Sequence, residues 1–180
     1  RHSFPTRRSS DLRDKQQRAE RVTADGFEKG LMWHGHPACL TVVLGPDSAT
    51  ASLAVDGPPP DTADVDARVR HMLGLDQPVA AFAAAHRDDP ELGPLLARRP
   101  GLRVPQTASP FEALSWAITG QQISMAAALA VRRRFIDTAG RRHGGGLACY
   151  PDAADVARLD EAALRGAGLS TSKAQTLRSV

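Results

Sequence analysis

The chain has 180 residues, room for one ordinary domain or two small ones. It is 42% hydrophobic and 24% charged, close to a soluble globular average. No run approaches the ~18 apolar residues of a membrane-spanning helix, which excludes a helical integral membrane protein. The two cysteines, Cys39 and Cys149, are far apart and outside any CxxC pattern, which excludes a disulfide framework and a cysteine-built metal site and fits a reducing cytoplasm.

His2–Leu12 reads HSFPTRRSSDL and resembles the in-frame translation of a sequencing-adaptor oligonucleotide. Residues 1–12 are therefore expected to be disordered and no part of the fold, with the natural start missing. The stretch is Arg-rich but has no apolar run, so it is no secretory signal. Without it the net charge falls from +3 to +1. The remaining charge is polarised. Arg13–Ala97 carries 8 basic and 13 acidic residues, whereas Arg98–Val180 carries 12 basic and 6 acidic. The basic half suits either general attraction to phosphates or the ordinary surface of Arg-rich helices.

Along the chain, Arg13–Arg21 is expected to be a short helix or a frayed start. Short apolar or alternating runs follow at Leu31–Trp33, Leu40–Leu44 and Ala49–Val55. They are separated by turn residues at Gly35–Pro37 and Gly45–Ser48, and predict a small antiparallel meander that ends at Gly57–Pro60. Asp61–Leu73 has Val65, Val69, Met72 and Leu73 at helical spacing, with Gly74 as a stop. Val79–His86 and Pro90–Arg99 are expected to hold two further short helices. Pro100–Pro105 reads as an extended connector. Ser109-Pro110-Phe111-Glu112 is a capping box on a helix start. Phe111, Leu114 and Ile118 are expected on that helix's inner face, and Gly120 interrupts it. The next helix is expected to carry Ile123, Ala127, Ala130 and Phe135 inward and Arg132–Arg134 outward, and to close at Gly140. Arg141–Cys149, with its Gly-Gly-Gly run, is expected to be a flexible loop. Pro151-Asp152, Asp160 and Ser170 each start a short helix, the last still running at Val180.

Among motifs for chemistry, no HExxH, GxSxG, Walker loop or GxGxxG occurs. His34 and His36 lie near Cys39 but have no fourth ligand, so no metal site is expected there. Asp88-Asp89 and Asp64/Asp66 read as solvated helix ends, and Trp33 and Trp116 as packing residues. Gly120-Gln121-Gln122-Ile123-Ser124, between two helices, stands out. Its glutamines suit hydrogen bonding to a base edge or filling a gap in a base stack. They equally suit bonding to helix-end carbonyls and nothing more.

Arg99–Pro105 (RPGLRVP) and Phe111–Ser124 (FEALSWAITGQQIS) resemble the AlkA-type DNA-3-methyladenine glycosylase II, a helix-hairpin-helix base-excision glycosylase. Arg68–Gln77, Leu159–Ser170 (LDEAALRGAGLS) and Lys173–Arg178 (KAQTLR) are similar to the family in order and spacing. The resemblance runs over roughly Phe27–Val180 and is strongest from Arg98. It implies an α+β fold: a partial TATA-binding-like α+β domain with linking helices over 13–97, then the first part of an all-α glycosylase domain over 98–180. It implies hydrolysis of the N-glycosidic bond of alkylated bases in double-stranded DNA by base flipping, by a cytoplasmic monomer without cofactor or metal. Gln121 falls beside the family's base pocket, and Gln122 at the wedge that fills the gap left by the flipped nucleotide. Ser124 matches the motif. Arg132, Arg133 and Arg134 are candidates to face phosphate. The family's hairpin and catalytic aspartate are expected beyond Val180, so no catalytic residue is assigned in this chain, which by itself is expected to be inactive. A non-catalytic DNA-binding or damage-sensing relative is the alternative.

Overall fold

The computed structural model describes residues 18–46 and 48–180. The adaptor-like stretch 1–12 lies outside the described residues. Four strands, β1 (Glu20–Val22), β2 (Gly26–Trp33), β3 (His36–Leu44) and β4 (Ala49–Val55), form an antiparallel sheet in the order β1-β2-β3-β4. The β2–β3 turn uses two residues with positive φ, His34 at 47° and Gly35 at 80°, the backbone pattern that matches the twist of a tight hairpin. β1 corrects the expectation of a helix or frayed start at the end of that stretch, Glu20 and Arg21; residues 13–17 lie outside the described residues. Three residues are too few to show a period, but Glu20 lies opposite Lys29 and Arg21 opposite Glu28, two cross-strand charge pairs.

Register decides the faces. Phe27, Leu31 and Trp33 of β2 share one face with Ala38, Leu40 and Val42 of β3. Helix α1 (Thr62–Leu73) covers that face with Val65, Val69 and Met72. The Asp61 side chain accepts from the Ala63 N–H at its start, and Gly74, at φ 65°, ends it. Arg68 lies over the Trp33 ring and donates to the Ala108 carbonyl, tying the connector back to this core. Two short helices follow, α2 (Val79–Ala85) and α3 (Leu92–Arg98). The extended connector returns past Gln77, which donates to the Val104 carbonyl and accepts its N–H.

The second half is helical: α4 (Pro110–Gly120), α5 (Met125–Ala139), α6 (Ala153–Ala157), α7 (Glu161–Gly166) and α8 (Thr171–Arg178). Phe135, Ile136, Val156, Leu164, Leu169, Ala174 and Leu177 build its core. The expected starts recur at Ser109, Asp152, Asp160 and Ser170, each side chain accepting a backbone N–H of the first turn. Three expectations are corrected. Leu114, Ile123 and Ala127 are exposed, because the buried positions of α4 are 112, 115, 118 and 119 and α5 begins only at Met125, with Ala128 its first buried residue. Residues 141–149 are no loose loop: Arg142 bridges Ala148, and Leu147–Tyr150 are buried. The glycines only make the turn, after which the Tyr150 N–H bonds the Gly30 carbonyl. A Cβ at Gly30 would run into the Ala148 carbonyl, so this segment seats on bare backbone. The helix expected to be running at Val180 ends at Arg178, where the Ser179 N–H bonds the Gln175 and Thr176 carbonyls.

Four charges join the two cores. Lys29 Nζ donates to Glu20 Oε1 at 2.7 Å and to Glu112 Oε1 at 2.8 Å, and Arg132 Nη2 lies 3.3 Å from both oxygens. The second Glu112 oxygen accepts the Ala108 N–H, so Glu112 closes the capping motif one residue earlier than a capping box does. Arg132 also stacks over the Tyr150 ring. Only 1% of Arg132 is exposed, which corrects its reading as a phosphate-facing residue: it is held by carboxylates from β1 and α4.

Burial alone raises the Glu112 carboxyl, but Lys29 and Arg132 outweigh it and hold the group below the ordinary range. Its contribution to stability is therefore complete above the ordinary glutamate range, near pH 4.3, and lost as pH falls through the lowered folded value. Glu112→Ala is expected to cost about 3–5 kcal/mol in urea unfolding, because it strands buried cations. Glu112→Gln is expected to flatten the acid limb of the stability–pH curve, measured by the same unfolding series between pH 3 and 7 (about the span in which carboxylates titrate).

Candidate functional site

The junction between α4 and α5 presents the residues that the sequence singles out. Gln121 is the C-cap of α4, with its N–H bonded to the Ile118 carbonyl at 3.3 Å. Gln122 then turns into the left-handed region at φ 57°, one of two non-glycine residues with positive φ among the described residues. Ser124 caps α5, its Oγ accepting the Ala127 N–H at 3.2 Å. Every residue from Gln121 to Ala127 is exposed.

A left-handed glutamine costs roughly 1–2 kcal/mol, so the surrounding structure must hold it. α8 contributes a contact to this turn. Lys173 Nζ donates to the Thr119 carbonyl at 2.9 Å and to the Gln121 carbonyl at 2.7 Å. The carbonyls at the end of α4 are therefore met by an ammonium rather than by the glutamine side chains, both of which point outward as exposed groups. Ile123, 40% exposed, and Met125, 65% exposed, add apolar surface beside them. The turn therefore presents two polar amides with apolar surface beside them.

The basic run splits three ways. Arg132 is buried in the charge cluster. Arg133 is half-buried and engaged with the protein. Arg134 is exposed, with its Nε donating to the Ala167 carbonyl at 2.9 Å. Only Arg133 and Arg134 stay candidates for a phosphate-facing surface. Trp116 is half-buried. Among the described residues no group of three or more His, Cys, Asp or Glu is arranged to hold a metal, and no helix is long and apolar enough to cross a membrane.

The carboxylates of the helical half are all taken up by the fold. Glu112 sits in the buried cluster, and Asp137 pairs with Arg18. Asp152 and Asp155 form a reciprocal cap, with Asp155 also meeting Arg141 and Arg158. Asp160 caps α7, and Glu161 accepts from Gln175. Sequence reasoning missed Lys173 and Met125 as parts of the junction and turned Ile123, which is exposed, inward. The first acts across 52 and 54 residues of chain, which no local pattern reveals.

The sequence matches the family model "AlkA N-terminal domain" over residues 14–109 and "HhH-GPD superfamily base excision DNA repair protein" over residues 115–180. It is 31% identical over 145 residues to a probable bifunctional transcriptional activator/DNA repair enzyme AlkA of Mycobacterium tuberculosis, covering 78% of this chain and 29% of that protein. The chain thus spans under a third of the length of this relative. Among solved structures it is similar to a 3-methyladenine DNA-glycosylase from Archaeoglobus fulgidus, with a TM-score of 0.74 at 19% identity over 89% of this chain and 56% of that one. It is also similar to a Clostridium acetobutylicum 8-oxoguanine glycosylase/lyase in complex with double-stranded DNA, with a TM-score of 0.63 at 12% identity over 88% and 51% of the two chains. At these identities the solved structures show a shared fold.

The strain at the turn has a direct test. Gln122→Gly is expected to preserve stability or raise it by up to about 1 kcal/mol, and Gln122→Val to lower it by about 1–2 kcal/mol. Urea midpoints of the two variants against the parent measure the difference.

Proposed function

The chain belongs to the AlkA family of helix-hairpin-helix base-excision DNA repair proteins, and on that premise we propose that it forms the DNA-engaging part of an alkylbase DNA glycosylase. The observation that carries the reading is the left-handed, outward-facing Gln122 on the fixed α4–α5 turn. An enzyme that works on a base must first take it out of the stack, and the vacated space favours a side chain that fills it. Gln122 is that filler, with Ile123 and Met125 supplying apolar contact to the neighbouring bases. Gln121 lies beside the flipped base, and Ser124 fixes the start of α5. Arg133 and Arg134 supply attraction to the backbone phosphates. The substrate is a base of the 3-methyladenine type, whose positive charge weakens its bond to the sugar and favours its departure. The protein works on double-stranded DNA as a cytoplasmic monomer and needs no cofactor.

Hydrolysis calls for a carboxylate to stabilise the oxocarbenium-like sugar and to position water. The carboxylates from Glu112 to Glu161 are each committed to a cap, an ion pair or a side-chain hydrogen bond. We assign none of them that role, and the chain by itself is proposed to bind damaged DNA without releasing the base.

Gln122→Ala is expected to weaken binding to a duplex carrying an abasic-site analogue by about tenfold, with little change on undamaged DNA, measured by fluorescence anisotropy. Equal affinity of parent and variant would remove Gln122 from the gap. Changing Arg133 and Arg134 together to Glu is expected to weaken binding to both duplexes. It is also expected to reduce the slope of log affinity against log salt by about 0.9 for each phosphate that is no longer neutralised. Incubation with methylated DNA is expected to release no free base. Release would place a working carboxylate among these residues.

A further inference from the structure

We infer that Lys173 is a positioning residue that sets Gln122 in its gap-filling conformation, an inference that rests on the reading of the α4–α5 turn given above. The last turn of a helix leaves carbonyls without an intrahelical partner. At α4 two of them, Thr119 and Gln121, converge on one ammonium, at 2.9 and 2.7 Å. The Gln121 carbonyl belongs to the peptide unit that enters Gln122, so fixing its direction restricts the rotation that precedes the left-handed residue. Charge-assisted bonds of this kind are about twice as strong as neutral ones, and a cation at a helix C-terminus also meets the favourable end of the helix dipole.

The clamp is itself anchored. Lys173 lies in the first turn of α8, where its own N–H is bonded by Ser170 Oγ at 3.3 Å. Ala174 and Leu177 of the same helix are buried in the helical core. The turn is thus pinned from three sides: the Gln121 N–H to Ile118, Lys173 to the two carbonyls, and Ser124 over the start of α5. Of the three, only Lys173 comes from outside the two helices that the turn joins. Its ammonium is engaged by protein carbonyls, which separates it from the arginines proposed to meet phosphate.

The test compares the 180-residue chain with Lys173→Met, Lys173→Arg, Gln122→Ala and the Lys173→Met/Gln122→Ala double variant. Each is titrated onto an undamaged duplex and onto the same duplex with a tetrahydrofuran abasic analogue. Lys173→Met is expected to reduce the preference for the abasic duplex by about tenfold, the size of one charge-assisted bond, and Lys173→Arg to restore most of it. In the Gln122→Ala background Lys173→Met is expected to change the preference no further, because both act through one side chain. A helix clamp unrelated to the turn would instead weaken binding to both duplexes and in both backgrounds alike, and that result overturns the inference. Should Lys173→Met melt near the assay temperature, Lys173→Gln, which keeps a donor but no charge, replaces it under the same expectation of a reduced preference. If the parent prefers the abasic duplex and Gln122→Ala loses the preference while Lys173→Met keeps it, the role of Lys173 alone falls. If the parent shows no preference, the gap-filling reading falls and takes this inference with it.

Discussion

Most of the architecture depends on four charges placed where water does not reach. Lys29 stands opposite Glu20 across two strands and also meets Glu112 of α4, and Arg132 of α5 meets both of these carboxylates. Each of these ions would be strongly unfavourable alone in this setting, so each needs its opposite charges beside it. That mutual requirement does what an apolar contact does poorly. It fixes one orientation of the helical half on the sheet, because charge-assisted bonds at 2.7–3.3 Å leave little room for sliding. The Tyr150 ring under Arg132 and the Tyr150 N–H bond to Gly30 extend the same seam.

α4 carries this constraint to the exposed turn. Its 11 residues span about 16 Å at the rise of an α-helix. Glu112 holds its first turn in the buried cluster, and Ser115 bonds Tyr150 at 2.8 Å. Its last carbonyls face Lys173. The helix therefore acts as a strut between a buried anchor and a strained turn at the surface. Rigid support is what a left-handed, non-glycine residue needs. It is also what a side chain needs if it is to meet a distorted duplex without the entropic cost of its own ordering.

The sequence reading and the structure part company where distance along the chain grows. The helix starts at Asp61, Ser109, Asp152, Asp160 and Ser170 were legible, since each cap is satisfied within three residues. The antiparallel meander was legible from its alternation and turns, although β1 was not, being three residues long. The junction at Gln121 and Gln122 was legible as a break between two helices and, through a family resemblance, as a site. Arg132 was misplaced because a run of three arginines reads as a solvated face. Ile123 was misplaced because a helical period was extended across a turn, and Leu114 because the buried face of α4 runs through Glu112, Ser115, Ile118 and Thr119.

By itself, then, the sequence determined the α+β class, the local starts of most helices, the place of the break after Gly120 and the family to which the chain belongs. Those features rest on side chains meeting backbone a few residues away, or on motif order. The tertiary structure alone decided which arginine is buried, that residues 147–150 join the sheet edge, and that Lys173 grips the end of α4. Each of these depends on partners brought together from far along the chain, 112 residues for Arg132 and Glu20 and 83 for Lys29 and Glu112. A buried charge is stable only beside its counter-charge, and which counter-charge arrives is a property of the folded chain.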